Sequence, residues 1–196
     1  MARIVVVESD ARVLGAIHTE GETHHRQRRM LLPFFHGNHV TAYADLITGK
    51  AHDLAAQWQD GTTIDIGQAM AHLTLSVIWH LLFGREVGFE ASTIRETIAV
   101  GQSLIKLQYD SLLASLTPLW VPTRLHRRFT RGRRSMAAMV RRMIEERRSA
   151  SHQNDDVLAL LLSARDAEGH SLSANEIRDD LVTFLLAGHE TTANAL

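Results

Sequence analysis

Apolar positions along most of the chain recur at three- and four-residue spacing rather than alternating, so the pattern predicts a mainly α protein. The stretch "HTEGETHHRQRRMLL" predicts a first helix. Thr19 followed three residues on by Glu22 has the form of a capping box, and Pro33 sets the far limit. A second helix fits His39 to Trp58. A third fits Asp65 to Phe83, closed by Gly84, and a fourth fits about Ser92 to Gln108. "TPLWVP" (117–122) breaks the pattern. A very basic helix then runs from Thr123 to Arg148, and a polar link leads to a short apolar helix from Asp156 to Arg165. "SANE" announces the last helix, because Ser173 and Glu176 repeat the capping-box spacing ahead of the apolar residues Leu181 to Ala187. Ile4 to Val7 is the best strand candidate, and no internal repeat or low-complexity segment is visible.

Composition narrows the function classes. With 196 residues, 45% hydrophobic and 22% charged, the chain matches an ordinary soluble globular domain. "LTLSVIWHLLF" is the greasiest run. It is short and carries His80, so no membrane span is expected, and "MARIVVVESD" is too short and too soon acidic for a signal peptide. A cytoplasmic location is the simplest expectation. There is no cysteine, which excludes a disulfide framework, a thiolate metal site and a cysteine nucleophile within these residues. A formal net charge of −1 offers no long-range attraction to nucleic acid. Nearly half of the 21 lysines and arginines lie between positions 124 and 148, but Met136, Met139, Val140, Met143 and Ile144 recur there at helical spacing. That pattern reads as an amphipathic helix with a solvated basic face, not a phosphate-binding surface. Twelve histidines raise the question of metal, and "HETTA" begins like the zinc-protease pattern H-E-x-x-H. Ala193 stands where the second imidazole must be, so metal ligation is not expected there.

One stretch breaks local rules. In "TFLLAGHETTANAL", a helix-like apolar run takes in Gly188, His189, Glu190, Thr191 and Thr192. Glycine inside a helix costs about 1 kcal/mol relative to alanine. Threonine hydroxyls bond back to the carbonyl one turn earlier, so Thr191 reaches for Ala187 and Thr192 for Gly188, which bends the helix. The expected result is a groove floored by Gly188 that a flat ligand can approach, with the Thr191 hydroxyl and the Glu190 carboxylate beside it as proton-handling groups. A C-capping glycine followed by polar turn residues is the plainer alternative.

"AGHETT" (187–192) resembles the alanine/glycine-glycine-x-acid-threonine-threonine signature of helix I in the cytochrome P450 family of haem-thiolate monooxygenases. Upstream, "GETHHRQRRMLLPFF" (21–35) resembles that family's helix C, with its aromatic-or-histidine, three residues, arginine pattern and a following proline-phenylalanine. The helices between the two motifs are similar in number and order to helices D to H. The resemblance implies a haem (heme) cofactor, dioxygen as co-substrate, a small organic substrate to be hydroxylated, and electrons from a ferredoxin or flavoprotein reductase type of partner. No nucleic acid partner is implied. His24 and Arg28, four residues apart on one helical face, match the propionate contacts of helix C, and an arginine fork suits a carboxylate. On helix I, Glu190 and Thr191 match the acid and alcohol that guide protons to the oxygen being reduced. Gly188 matches the kink position over the haem and Ala187 the lining of the distal pocket, while His189 falls at the motif's variable position and receives no catalytic role.

The family's axial ligand is a cysteine thiolate that lies well beyond helix I and favours O–O cleavage. These residues end before it. The expectation is therefore an incomplete P450 domain over residues 1–196, from just before helix C to midway through helix I, lacking the N-terminal sheet region and the haem-ligand region. Such a piece is expected to be inactive alone, with open apolar groups such as Phe184 and Leu185. The alternative is a non-catalytic helical binding module, or one half of a split P450 that pairs with a C-terminal piece.

Overall fold

The computed structural model describes residues 21–32, 41, 43–88, 90–110, 124–149 and 156–196. Among them are seven helices: α1 (Gly21–Leu31), α2 (Ala44–Ala55), α3 (Ile66–Phe83), α4 (Glu90–Asp110), α5 (Arg124–Ser149), α6 (Val157–Ser163) and α7 (Ala174–Ala195). No strand occurs among the described residues. The only β feature there is an isolated antiparallel bridge between Arg165 and Ser171. The mainly α fold expected from the periodicity is the one observed. Ile4 to Val7, the Thr19 cap, Pro33 and "TPLWVP" lie outside the described residues.

Local chemistry fixes the helix ends. Asp65 caps α3 by accepting from the Gln68 N–H. Gly84, with a left-handed φ of 64°, closes the helix by donating its N–H to the His80 carbonyl at 2.7 Å. Asp156 caps α6 through the Ala159 N–H at 2.8 Å. The Ser173–Glu176 capping box is fully formed at the start of α7. The basic helix α5 buries Met136, Val140, Met143 and Ile144, as its spacing predicts. Arg147, at its last turn, is no solvated arginine. Its guanidinium makes two bonds of 2.9 and 2.7 Å to the Asp156 carboxylate and donates to the Phe83 carbonyl at 3.1 Å, tying together the ends of α5, α3 and α6.

The core is built around α3 and α7. Leu75, Trp79, Leu82 and Phe83 from α3 join Leu181, Val182 and Leu185 from α7, with Ile94 of α4, Leu158 and Leu161 of α6, and Met30 and Leu31 of α1 around them. Helix α3 is, by length and composition, apolar enough to cross a membrane, which differs from the expectation that no run reaches that length. Its buried residues and its packing on α7 give it the role of a central core helix. A second expectation is corrected as well. Leu185 is 0% exposed, so it does not lie open, and Phe184 is half-buried. The 3.6-residue period turns Leu185 toward the core and leaves a different face of α7 open.

Candidate functional site at the α1 and α7 motifs

Helix α1 presents two unlike faces. Successive residues are offset by about 100° around a helix, which sets Arg26 on the side opposite His24 and Arg28, with Gln27 between. Arg26 donates to Glu176 of α7 and, at 3.3 Å, to Asp166. Gln27 is 2% exposed and also donates to Glu176, at 3.3 Å. Glu176 closes the capping box of α7 at the same time, so α1 is clamped to the start of the helix that carries the second motif. Burial pushes the Glu176 carboxyl up, but Ser173, Arg26 and Gln27 outweigh it and hold it below its ordinary value. No local pattern in the sequence singles out Arg26. In the structure it is the strut between the two motif helices.

The other face of α1 is open. Arg28 is exposed and makes no ion pair with a described residue, while His24 is half-buried and lies edge-on to His25 with ring centroids 5.7 Å apart. Arg28 borders a cleft of about 720 Å³ that is also lined by His25, Arg26, Asp166, Glu168 and His170, and no residue of α7 contributes to that lining. Burial raises the Asp166 carboxyl. The backbone N–H groups of His170 and Glu168 and the Arg26 guanidinium together bring it below its usual value. Those bonds account for Asp166 as the organiser of the turn ahead of α7.

On α7 the motif residues divide among three directions. Ala187 and Thr191, one turn apart, are both exposed, and the Thr191 hydroxyl donates to the Ala187 carbonyl, the back-bond expected for this threonine. Glu190 lies to one flank, where its Oε1 accepts from Nε2 of Gln102 on α4 at 2.7 Å. His189 points into the protein. It is 4% exposed, and its Nδ1 lies 3.1 Å from Oγ1 of Thr74 on α3. Burial pushes its pKa below the ordinary histidine value, Glu190 pulls it back in part, and Arg95 lowers it further. Where Gly188 would carry a Cβ, Ile78 of α3 already stands, with Cδ1 at 3.0 Å and Cγ1 at 3.2 Å from that position. A packing demand therefore explains the mid-helix glycine on this side: it lets α7 lie close against α3.

Three partners were not legible in the sequence: Gln102, Thr74 and Ile78. Each sits on another helix, at a separation that no local pattern reports. The donor set suits haem. An exposed guanidinium four residues from an imidazole matches a carboxylate-bearing edge, and the small side chains of Ala187 and Thr191 leave room for a flat ring.

These features define an all-helical scaffold with an oxygenase-type motif on its central helix. Comparison with known proteins gives the same assignment. The cytochrome P450 family model matches residues 4–196. The chain is 33% identical over 184 residues to cyclooctat-9-en-7-ol 5-monooxygenase of Streptomyces melanosporofaciens, covering 91% of this chain and 39% of that protein. It is 31% identical over 175 residues to pentalenene oxygenase of Streptomyces avermitilis, covering 88% and 38%. Among solved structures, the retinoic acid bound cyanobacterial CYP120A1 superposes with a TM-score of 0.77 at 25% identity, covering 93% of this chain and 40% of that one. The chain belongs to the cytochrome P450 family. It spans about two fifths of the length of the relatives it matches.

Proposed function

We propose that this chain supplies the α1 and α7 walls of a haem-dependent monooxygenase that hydroxylates a small organic substrate with dioxygen and electrons from a ferredoxin or flavoprotein reductase type of partner. Arg28, with His24 one turn away, holds the haem propionates through charge-assisted hydrogen bonds. Bound haem supplies the dioxygen chemistry, and the chain's own residues manage protons and access. The hydroxyl proton of Thr191 is held on the Ala187 carbonyl, which leaves its oxygen lone pairs to accept from a water on the exposed face of α7. Glu190 is held at Oε1 by Gln102, and its other carboxylate oxygen accepts from no described residue, so it is the group that takes a proton from solvent and gives it to the water that Thr191 orients. Ala187 keeps the face beside Thr191 low enough for a flat ligand.

One observation carries this reading: Thr191 and Ala187 share an exposed face of α7 while Glu190 is fixed on its flank. Names such as pentalenene oxygenase, borne by relatives, are consistent with a small organic substrate. In the holoenzyme, Thr191→Ala is expected to retain substrate binding and to divert reducing equivalents from product to peroxide. Peroxide yield per electron consumed is the measurement. A Thr191→Ala enzyme with full coupling of electrons to product would remove the proton-handling role.

A further inference from the structure

We propose that His189 is a positioning residue of this site: an imidazole carrying its proton on Nδ1, which locks α7 to α3 through Thr74 and thereby fixes how Glu190 and Thr191 are presented. The inference rests on the functional reading above and adds to it a residue that the motif leaves unassigned.

The tautomer follows from Thr74. A threonine hydroxyl has one hydrogen to give. Oγ1 of Thr74 lies 2.9 Å from the Met70 carbonyl and 3.3 Å from the Ala71 carbonyl, both pure acceptors, so that hydrogen is committed to the backbone of α3. The contact of 3.1 Å between Oγ1 and His189 Nδ1 then has the imidazole as donor. Both side chains are buried, at 4% exposure for His189 and 5% for Thr74, and because the Thr74 hydrogen stays on the backbone, it is loss of Thr74 that strands a buried donor, the imidazole N–H. The charged groups near the ring are Glu190 on α7 and Arg95 on α4, and burial outweighs them to favour the neutral form that this bond requires.

Location makes this bond matter. Gly188 lets α7 approach Ile78, and His189 then reaches Thr74 on the same partner helix, so two consecutive residues set the depth and the rotation of α7 on α3. Glu190 and Thr191 follow at about 100° and 200° around the helix. A rotation of α7 that relieves a broken His189–Thr74 bond therefore disturbs the Glu190–Gln102 contact and turns the threonine on its open face.

The test combines a spectroscopic readout with isosteric variants in the holoenzyme. Nitrogen NMR of histidine-labelled protein is expected to show His189 as the Nδ1–H tautomer across neutral pH, and an Nε2–H tautomer would overturn the proposal. An asparagine amide overlays the Nδ1 position and a glutamine amide overlays Nε2, so His189→Asn and Thr74→Ser are expected to keep wild-type coupling. His189→Gln and Thr74→Val should lower the product-to-peroxide ratio by about 2- to 10-fold, with substrate affinity within about twofold of wild type. Equal loss in His189→Asn and His189→Gln, or an unchanged ratio in Thr74→Val, would contradict it. The control separates the two claims. If Thr191→Ala diverts electrons to peroxide and Thr74→Val does not, only the positioning role falls. If Thr191→Ala is itself fully coupled, the functional reading falls, and the tautomer measurement still judges the lock.

Discussion

Gly188→Ala tests whether the motif glycine serves helix packing. Taken alone, the helix gains about 1 kcal/mol from alanine at an interior position. The added Cβ, however, would stand 3.0 Å from Cδ1 and 3.2 Å from Cγ1 of Ile78, each tighter than ordinary van der Waals contact. Cδ1 is the free end of a side chain and can rotate away. Cγ1 moves only if Ile78 changes χ1 or the two helices separate by a few tenths of an ångström, and overpacking of that kind costs about 1 to 3 kcal/mol. The two effects leave a net destabilisation of about 0 to 2 kcal/mol. Ile78→Ala removes both close atoms and leaves only Cβ, at 4.0 Å. In that background Gly188→Ala is expected to become stabilising by about 1 kcal/mol, so its sign reverses and the pair shows a coupling of about 1 to 3 kcal/mol. Urea unfolding of the four proteins, followed by far-ultraviolet circular dichroism, measures the cycle. Gly188→Ala stabilising by the full helix-propensity gain with Ile78 intact, and no coupling, would refute the packing explanation.

Further expectations follow from single contacts. Arg28→Ala should weaken haem retention by about 1 to 3 kcal/mol and His24→Ala by less, read as haem transfer to apomyoglobin, and unchanged retention in Arg28→Ala would cancel the propionate assignment. Arg147→Ala leaves the carboxylate of Asp156, 2% exposed, without its bidentate partner and should cost about 3 to 5 kcal/mol in urea unfolding. Asp156→Asn in the same chain should restore part of that loss, and a cost under about 1 kcal/mol would show the knot to be unimportant. Because the folded-state pKa of His189 lies below its ordinary 6.5, its contribution to stability is fully present above pH 6.5 and is lost as pH falls through its folded value. His189→Asn should therefore flatten the stability profile just below pH 6.5. The lowered carboxylates Asp166 and Glu176 act in a separate, more acid window, below their ordinary values of 3.8 and 4.5. An unaltered profile in His189→Asn would contradict the burial of a neutral imidazole.

Local signals carried far into this fold. Asp65, Gly84, Asp156, Ser173 and Glu176 announce helix ends through chemistry confined to three or four residues; the Ser173–Glu176 capping box is where the sequence reading set it, and Asp65 and Asp156, read as first helical residues, are the N-caps. The amphipathic spacing of Met136, Val140, Met143 and Ile144 likewise specifies the buried face of α5 without reference to any other helix. What stayed hidden depends on distant partners. Arg26 and Arg28 are equivalent as letters, yet one is spent on Glu176 and Asp166 and the other stays open, because only the first faces α7. His189 looks like a filler between Gly188 and Glu190 until Thr74, 115 positions away, supplies its acceptor. Gly188 suggests a groove by itself. Only the position of Ile78 shows that its missing side chain is space used by α3.

The reduced carbon monoxide spectrum tests the central claim most directly. Residues 1–196 contain no cysteine, so haem taken up by these residues alone has no thiolate ligand and should lack the red-shifted Soret band of thiolate ligation. Joined to a C-terminal segment that carries the family's cysteine ligand, the same residues should bind haem and show that band. Failure of the joined protein to take up haem, or a thiolate-type spectrum from residues 1–196 alone, would contradict the assignment of α1 and α7 as the walls of a haem-thiolate oxygenase.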